Sequence, residues 1–428
     1  MTRSVCIVST GNLASNPRLV KEADALQEAG YSVTTVFCDY TETLRPFDDR
    51  IAAGARWTAR RVARLRSERY TTAAARLSAR MLASMGARIP LRVATDAYGG
   101  PGGALRREIR TVKADLYIAH YVPALPAAAE AARRHGGLLG FDAEDFHSGE
   151  GTDSPADRFQ SMLVERIESA CLPRCAYMTA ASPLIGKAYA AKYGVAPKTV
   201  LNVFPMDMAP LGASSGEQAI RPHASGTLRA YWFSQTIGLD RGLQAFVQAI
   251  ARARAHVTLD IRGSNRWGHG DALLALARDL GVGDRVTLLA MAAPEEMVRL
   301  SAPYDLGLSL EMPVTENRRI CLTNKIFTYL LAGVPVMMSD TPAQQVLAPD
   351  LGVAARLVSL DDPDGIARML DGLASSPGVL AAAKAAAWEL GRTRYNWDVE
   401  KRILVDAVDA AFSGGGHGSS PSDREAVR

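Results

Sequence analysis

A chain of 428 residues is too long for one ordinary hydrophobic core and predicts two domains of roughly 200 residues each. Hydrophobic residues make up 48% of the sequence and charged residues 22%, which is typical of a soluble globular enzyme and excludes collagenous and disordered classes. The net charge is only +4, so its distribution along the chain is more informative than its size.

The cysteines and the N-terminus bear on the compartment. Five cysteines, an odd number, lie mostly in apolar runs and predict buried free thiols in a reducing compartment. The start MTRSVCIVST leads into a short strand pattern without a long apolar region, and no window of about 18 apolar residues follows. We therefore expect a cytoplasmic protein. The basic segment described next raises the alternative that it lies peripherally on the inner face of the membrane.

Residues 50–113 are strongly basic. They hold fourteen Arg and one Lys but three acidic residues, so this segment carries +12 in a chain whose total is +4. The run RWTARRVARLRSERYTTAAARLSARML is helical in composition and predicts a helix on an anionic membrane surface, where each Arg contributes about 1 kcal/mol. An Arg-rich solvated face explains the composition equally well. Nucleic acid is not expected as a partner, because aromatic platforms are not interleaved with the basic residues.

Strand and helix patterns alternate along the first half of the chain. Asn16 and Pro17 supply a cap and a first helical residue, and Gly30 is suited to end that helix. The predicted strands are SVCIVST, YSVTTVFC, DLYIAH, LLGFD, AYMTA and TVLNV, with helices after Pro17 and near 126–134, 156–171 and 183–193. Strands that are joined by helices are parallel, so one open parallel sheet is predicted.

The alternation starts afresh after a stretch rich in Gly, Ser, Ala and Pro. The second set of strands is LRAYWFS, HVTLDIRG, RVTLLA, YDLGLSL and VPVMM, with helices near 243–251, 272–280, 295–300 and after Thr323, and three closing helices near 363–373, 379–390 and 399–411. The predicted fold class is α/β, with two Rossmann-like doubly wound domains facing a cleft. The predicted divisions are 1–205, a linker at 206–227, 228–395, a closing helix at 396–412 and a disordered tail at 413–428.

Two polar stretches in the second half follow predicted strands, where open α/β sheets bind ligands. In CLTNKIFTYLLAGVPVMMSD, Thr323 is a candidate cap, and Asn324, Lys325 and Thr328 share one side of the helix, whose N-terminus suits a diphosphate. A merely capped amphipathic helix has the same pattern. In YWFSQTIGLDRG, the polar loop 234–238 and Arg241 come together at a strand end, although Arg241 could instead pair with Asp240 on the surface.

These stretches, in this order, resemble the C-terminal domain of retaining family-4 glycosyltransferases of the GT-B fold. The first half agrees, because NPRLVKEADALQEAGYSVTTV and DLYIAHYVPALPAA…LLGFDAEDFHSGE resemble the acceptor domain of that family. The resemblance implies a UDP- or GDP-sugar donor, no metal, and Arg241 and Lys325 as the groups that neutralise the departing diphosphate. It also implies a nucleotide site formed by Ser234, Gln235, Thr236, Gly263, Ser264, Asn324 and Thr328.

The sequence departs from the family at a glutamate that meets the nucleotide ribose. Thr328 occupies that position, and Ile320 occupies the position of the glutamate that precedes it. A hydroxyl is a weaker acceptor than a carboxylate. Glu311 or Glu316 could approach the sugar instead, and Glu311 is the better candidate because it directly follows the strand YDLGLSL.

The acceptor side contains a second polar cluster. FDAEDFHSGE places Asp142, Glu144, Asp145, His147 and Glu150 after a buried strand, a set that could bind metal or act as acid and base. A metal is not expected, since there is one His and no second cluster. Capping or solvated charge explains Asp145 and Glu150, which leaves Asp142 and Glu144 as candidates for acceptor hydroxyls.

Other residues on this side are implied by the family. His120 stands where the family places an active-site histidine, although a lone His at a strand end is as often structural. The loop with Asn12, Asn16 and Arg18 can close over acceptor or diphosphate, whereas Asn16 could simply cap its helix.

The leading hypothesis is a retaining hexosyltransferase that moves a sugar from a nucleotide diphosphate sugar to a hydroxyl of a glycan or lipid-linked acceptor in surface polysaccharide synthesis. A nucleotide-sugar 2-epimerase with paired Rossmann-like domains is a second hypothesis, against which Thr328 argues. A nucleotide-sugar-binding protein without activity is a third, suggested by the missing glutamate.

Overall fold

The computed structural model describes residues 2–63, 68–100, 102–210 and 226–414. The chain divides into two compact units, one formed by Met1–Val200 and Lys401–Arg428 and the other by Leu201–Glu400. Most of the predicted linker and nearly all of the predicted disordered tail lie outside the described residues. No helix among the described residues is both long and apolar enough to cross a membrane.

The first unit is built on a seven-stranded parallel sheet in the order β3-β2-β1-β4-β5-β6-β7. Its strands are β1 (Ser4–Ser9), β2 (Ser32–Asp39), β3 (Thr58–Ala63), β4 (Leu116–His120), β5 (Leu138–Ala143), β6 (Cys175–Ala180) and β7 (Lys198–Thr199). The order reverses between β1 and β4, which is the switch point of a doubly wound sheet.

The helices of the first unit follow the predicted capping signals where the sequence supplied them. The Asn16 side chain accepts a hydrogen bond from the Leu19 amide, Pro17 is the first helical residue, and Gly30 has a φ of +91° after the helix ends. The helices are α1 (Pro17–Glu28), α2 (Arg45–Gly54), α3 (Glu68–Ser84), α4 (Leu91–Tyr98), α5 (Gly102–Ile109), α6 (Leu125–His135), α7 (Pro155–Cys171) and α8 (Pro183–Tyr193).

Two sequence expectations in this unit were wrong. The basic run predicted as helical contains the edge strand β3, which pairs with β2 from Thr34 opposite Thr58 to Asp39 opposite Ala63. Of the described residues in this run, those from Glu68 onward are helical. Sheet pairing here overrides local composition. The predicted strand TVLNV is reduced to the two residues of β7, because the chain leaves the sheet after the Val200 amide bonds to the Ala180 carbonyl.

The second unit repeats the same topology with six parallel strands in the order β10-β9-β8-β11-β12-β13. The strands are β8 (Thr227–Thr236), β9 (His256–Ser264), β10 (Val286–Leu289), β11 (Leu306–Ser309), β12 (Val336–Ser339) and β13 (Ala355–Val358). The switch point lies between β8 and β11. The predicted α/β class with two Rossmann-like parallel sheets is therefore confirmed.

The helices of the second unit include two that the sequence patterns did not indicate, α12 and α14. The helices are α9 (Leu243–Arg252), α10 (His269–Asp279), α11 (Met297–Ser301), α12 (Glu316–Ile320), α13 (Asn324–Leu331), α14 (Pro342–Leu351), α15 (Pro363–Ser375) and α16 (Pro377–Thr393). The last helix, α17 (Trp397–Gly414), begins in the second unit and belongs to the first unit from Lys401 onward. The short edge strand β13 was also not predicted. Ser413 and Gly414, placed in the tail by the sequence, are the last residues of α17.

Gly307 allows α13 to pack directly on β11. A Cβ at this position would lie 2.3 Å from the Tyr329 ring, which is fully buried. We expect Gly307→Ala to lower the free energy of unfolding by about 1–3 kcal/mol through overpacking. Gly372→Ala is the control, because no atom lies within 4 Å of its Cβ position in α15 and Ala favours the helix. Urea unfolding curves test both variants, and equal midpoints would contradict the packing.

Candidate active site

The strongest candidate site in the second unit lies at the switch point of its sheet. Arg241 is in the loop after β8, and Glu311 follows β11 by two residues. Because β8 and β11 are neighbours, their carboxyl ends bring these loops together. An Arg241 guanidinium nitrogen, Nη1, donates a hydrogen bond of 2.8 Å to Oε2 of Glu311.

Glu311 is the centre of a cluster with three cations. Arg318 Nη1 lies 2.5 Å from the same oxygen, Oε2, and Lys325 Nζ lies 2.9 Å from the other oxygen, Oε1, without the alignment of a hydrogen bond. The Glu311 side chain is 1% exposed, whereas Arg241 and Arg318 are 20% and 23% exposed. Asp240 adds contacts of 3.7 Å to Arg241 and 3.5 Å to Arg318. The arrangement leaves an excess of positive charge whose outer edge faces solvent.

Local backbone features hold these loops. Gly242 follows Arg241 with a φ of +66°, and a Cβ there would lie 2.7 Å from the Leu310 carbonyl oxygen. The Ser339 hydroxyl, at the end of β12, donates to the Glu311 carbonyl at 2.7 Å. The carboxyl ends of three neighbouring strands therefore fix the position of the Glu311 backbone.

Sequence reasoning predicted Arg241, Glu311 and Lys325 and missed Arg318. The Thr315 side chain caps α12, the five-residue helix that carries Arg318. Helices this short have little periodicity, so the pattern analysis did not indicate it. The remaining signal was the pair of arginines in ENRRI, directly before the predicted diphosphate helix.

The other predicted nucleotide residues lie at the ends of β8 and β9 and in α13. Ser234, Gln235 and Thr236 belong to the last part of β8, where the pairing with β9 shifts register, and not to a free loop. Gly263 and Ser264 are the last residues of β9, and a Cβ on Gly263 would lie 2.8 Å from the Ser234 carbonyl oxygen. These five residues thus share the carboxyl ends of two adjacent strands.

Helix α13 carries the last two predicted nucleotide residues. Asn324 is exposed as its first residue. Thr328 is fully buried, and its hydroxyl donates to the Asn324 carbonyl at 3.0 Å. The hydroxyl that replaces the family glutamate is therefore engaged within its own helix, and its contact with a ribose stays a prediction.

In the first unit, His120 ends β4 within a buried network. Its Nε2 lies 2.5 Å from a Glu22 oxygen, and its Nδ1 lies 3.4 Å from Asn16 and 3.5 Å from Asp142. Tyr177 donates to the other Glu22 oxygen at 2.8 Å. Both ring nitrogens of His120 therefore face protein partners. Glu22, on the buried face of α1, was not predicted.

Arg18 and Asp142 form a bidentate ion pair in the same network. Arg18 Nε and Nη2 lie 2.7 and 2.8 Å from the two Asp142 oxygens, and Nη1 donates to the Val200 carbonyl at 2.8 Å. Both side chains are at most 3% exposed. Asn12 is held separately, by Asp48 at 2.7 Å and by the Thr41 amide. The predicted acceptor residues Arg18 and Asp142 are thus buried partners of each other, and Asn16 joins the same network through His120.

The charges in this network shift the pKa values of its members. Burial opposes ionisation of Asp142, but Arg18 and His120 outweigh it and hold its pKa at about 2. Burial disfavours the charged form of His120, yet its hydrogen bond to Glu22 and the charges of Asp142 and Glu22 raise its pKa above the ordinary value. Burial and Asp145 raise the pKa of Glu144, which is half-buried. These interactions therefore favour the charged form of His120 more than water favours that of a free imidazole.

A cavity of about 520 Å³ lies at the switch point of the first sheet. Thr10 and Gly11 follow β1, Tyr121 follows β4, and Arg69, Thr72 and Arg76 come from α3. The remaining lining residues are Ser15, Tyr40, Glu68, Tyr98, Gly99, Gly100 and Pro123. Arginines and tyrosines can bind a polar ligand with an anionic group. None of the predicted acceptor residues lines this cavity.

Tyr121, which lines this cavity, has an unusual backbone conformation. Among the described residues it is the one non-glycine residue with positive φ, at 69° with ψ of 144°. L-residues other than glycine rarely adopt such a conformation, which costs on the order of 1–3 kcal/mol and concentrates at functional sites. Burial raises the pKa of its phenol, assisted by Glu144 and Asp145, so the phenol is neutral and can donate a hydrogen bond.

The residues that the structure describes contain no group of three or more His, Cys, Asp or Glu side chains placed to hold a metal ion. Acidic residues at the end of β5 and in the loop after it are bound by other side chains of the protein. Asp142 is bound to Arg18, and Glu150 is bound to His147 at 2.8 Å.

Comparison of the fold with solved structures finds similar proteins over nearly the whole chain. Anabaena HepE in complex with UDP-glucose has a TM-score of 0.67 at 12% identity, covering 95% of this chain and 99% of that one. Sucrose-phosphate synthase from Thermosynechococcus elongatus has 0.68 at 12%, covering 96% and 100%. The lipopolysaccharide outer core galactosyltransferase WaaB has 0.60 at 12%, covering 96% and 99%. A scan against protein-family models and a search of curated proteins find no match.

These neighbours are glycosyltransferases of the GT-B fold, and the chain has that fold. At this level of identity the likeness concerns the arrangement of the backbone. The chemistry therefore has to be argued from the residues at the two switch points.

The Glu311 cluster predicts a large effect on stability. Glu311→Gln leaves three cations without their buried counter-charge, and we expect it to lower the free energy of unfolding by about 3–5 kcal/mol. Glu316→Gln is the matched control, because Glu316 is 55% exposed and its one ion pair among the described residues is with Arg319, one helical turn away. Urea unfolding of both variants measures the difference, and similar midpoints would show that Glu311 is dispensable for folding.

His147 predicts a pH dependence of stability. Although burial disfavours the imidazolium, its hydrogen bond and charge interaction with Glu150, with Asp145 and Glu168 nearby, raise its pKa from 6.5 to about 9. The charged form therefore stabilises the fold fully below pH 6.5, and this contribution is lost as the pH rises through 9. We expect the unfolding midpoint to fall across this range in the wild type.

Glu150→Gln should flatten that fall, because it removes the main partner of the imidazolium. Glu165→Gln, which loses only a contact with Lys192, should keep the wild-type slope. Urea midpoints measured between pH 6.5 and 9 compare the three proteins, and a slope that Glu150→Gln leaves unaltered would rule out this origin.

Proposed function

We propose that the protein transfers a sugar from a UDP- or GDP-sugar to an acceptor hydroxyl with retention of anomeric configuration. One observation carries the proposal: Arg241, Arg318 and Lys325 meet at the switch point of the second sheet, where open α/β sheets bind ligands. The UDP-glucose bound by Anabaena HepE supports this class of donor on this fold.

The cluster suits a leaving diphosphate. When the bond between the anomeric carbon and the diphosphate oxygen breaks, the electron pair and negative charge move onto the diphosphate. Two partly exposed guanidinium groups offer further N–H donors beyond those used by Glu311, and α13 begins beside Lys325. Fixed positive charge of this kind stabilises the transition state without reorganisation, and the proposal requires no metal ion.

Glu311 has two assignable roles in this scheme. The sequence assigned it to the transferred sugar, and the structure adds its ion pairs with all three cations. We propose that it orients the guanidinium groups and that Oε1, which is buried 2.9 Å from Lys325 Nζ, reaches a sugar hydroxyl only when Lys325 moves toward the diphosphate.

The acceptor is proposed to bind in the cavity of the first unit. Its tyrosines suit a sugar ring, and Arg69 and Arg76 suit an anionic group. A glycan or lipid-linked acceptor from surface polysaccharide synthesis has these properties, and the structural likeness to a lipopolysaccharide galactosyltransferase supports it. His120 and Asp142 act in this scheme by fixing the strand ends that border the cavity.

Nucleotide binding tests the placement of the diphosphate. Arg241→Ala, Arg318→Ala and Lys325→Ala should each weaken UDP or GDP binding about tenfold or more, since a charged hydrogen bond contributes about 1.5–3 kcal/mol. Arg299→Ala is the control, because Arg299 is 64% exposed and, in the part of the chain that the structure describes, forms an ion pair with Glu296 alone. Calorimetric titration measures the affinities, with EDTA present to remove divalent metal ions. Wild-type affinity for UDP and GDP in all three variants would refute the proposed diphosphate site.

The products distinguish the reaction classes. Incubation with UDP- and GDP-sugars should release free nucleotide diphosphate by slow hydrolysis, at a lower rate in Arg318→Ala. An epimerised donor would instead indicate a 2-epimerase, and binding without turnover would indicate a protein that only holds the nucleotide sugar.

A further inference from the structure

Helix α3 exposes large apolar side chains along one face. Tyr70, Leu77 and Met81 are 71%, 64% and 56% exposed, and Met85, just beyond the helix, is 67% exposed. At 100° per residue, the three helical positions fall within about 40° of one another. We name these four residues the apolar stripe. Single exposed apolar residues are ordinary, but a contiguous stripe indicates an interaction surface.

Three arginines flank this stripe on one side. Arg69, Arg76 and Arg80 fall within about 40° of one another and lie about 100° around the helix from the apolar stripe. Within the described part of the chain, none of the three forms an ion pair with a carboxylate. Arg76 donates to the Ala97 carbonyl at 2.8 Å, and Arg80 lies over the Phe159 ring. No carboxylate among the described residues therefore compensates these three charges.

Two arginines that precede α3 in this segment differ in this respect. Arg60 and Arg61, on the edge strand β3, pair with Glu108 and Asp49. The net charge of residues 50–113 alone does not distinguish Arg60 and Arg61 from the arginines of α3 as candidates for binding an anionic partner. The structure singles out the arginines of α3, because they combine uncompensated charge with neighbouring exposed apolar side chains.

We propose that α3 is a docking surface for an anionic membrane, with the apolar stripe entering the headgroup region and Arg69, Arg76 and Arg80 binding lipid phosphates. Charge complementarity identifies the occupant, since interfacial helices pair an apolar face with a cationic flank. A second copy of the chain fits less well. Two such helices placed face to face would bring six arginines together.

The same helix connects this surface to the cavity. Arg69, Thr72 and Arg76 line the cavity of the first unit, so the flank that faces the lipid headgroups also borders the proposed acceptor pocket. A lipid-linked acceptor in the leaflet would then present its polar head next to the cavity. This consequence rests on the proposed function, whereas the docking itself does not.

Vesicle sedimentation with the full chain tests the docking. We expect vesicles of phosphatidylcholine with about 30% phosphatidylglycerol to bind the protein at least tenfold more strongly than phosphatidylcholine alone. L77S/M81S should reduce this binding about tenfold or more, because it removes the side chains that enter the membrane. V346S/V379S, which alters exposed apolar residues of the second unit, should bind like the wild type.

Two double variants with the same change in net charge test whether the position of the arginines matters. R76Q/R80Q should lose most of the binding, whereas R60Q/R61Q, with the same change in charge, should retain most of it. Equal losses in the two pairs would overturn the assignment to α3, as would absent vesicle binding by the wild type. Light scattering that shows a dimer abolished by L77S/M81S, without vesicle binding, would identify a second copy as the occupant and also overturn it.

UDP affinity measured on the same samples keeps the two proposals apart. L77S/M81S should bind UDP like the wild type, since neither residue borders the proposed nucleotide site. Lost vesicle binding with intact UDP affinity supports the docking surface. A wild type that binds vesicles but no nucleotide would leave the docking standing and refute the proposed donor site.

Discussion

The second unit depends on one buried carboxylate. Glu311 lies at the junction of the loops after β8, β11 and β12, and it compensates Arg241, Arg318 and Lys325, which come from three different elements. Without it, three like charges would repel one another at the end of the sheet. With it, they are held close enough to act on one anion. Stability and the proposed chemistry therefore depend on the same side chain.

The first unit solves a similar problem in a different way. Its buried charges, Arg18, Glu22, His120 and Asp142, compensate one another almost completely and leave no outward-facing cation. The strained Tyr121 and two arginines of α3, Arg69 and Arg76, line the neighbouring cavity instead. The first unit thus fixes its strand ends with a buried network of charges and has a separate cavity. The second unit exposes part of its charged cluster to solvent. The proposed function would use the first unit for the acceptor and the second for the diphosphate.

Buried strands and well-capped helices could be predicted from the sequence because their signals are local. The cap Asn16, the glycine at position 30 and the apolar runs of β1, β4 and β11 each act within a few residues. The edge strands β3 and β13 and the short helix α12 could not be predicted in the same way. Their conformation is set by a neighbouring strand or by a single cap, and composition even favoured a helix across β3.

The sequence by itself determined the two parallel sheets and placed Arg241, Glu311 and Lys325 after strand ends, since alternation and strand polarity follow from local patterns. Only the tertiary structure decided which charges meet. It added Arg318 to the cluster, enclosed His120 between Glu22 and Asp142, and turned the apolar side of α3 toward solvent. Such outcomes depend on contacts between residues far apart in the chain, whose distances no local pattern encodes.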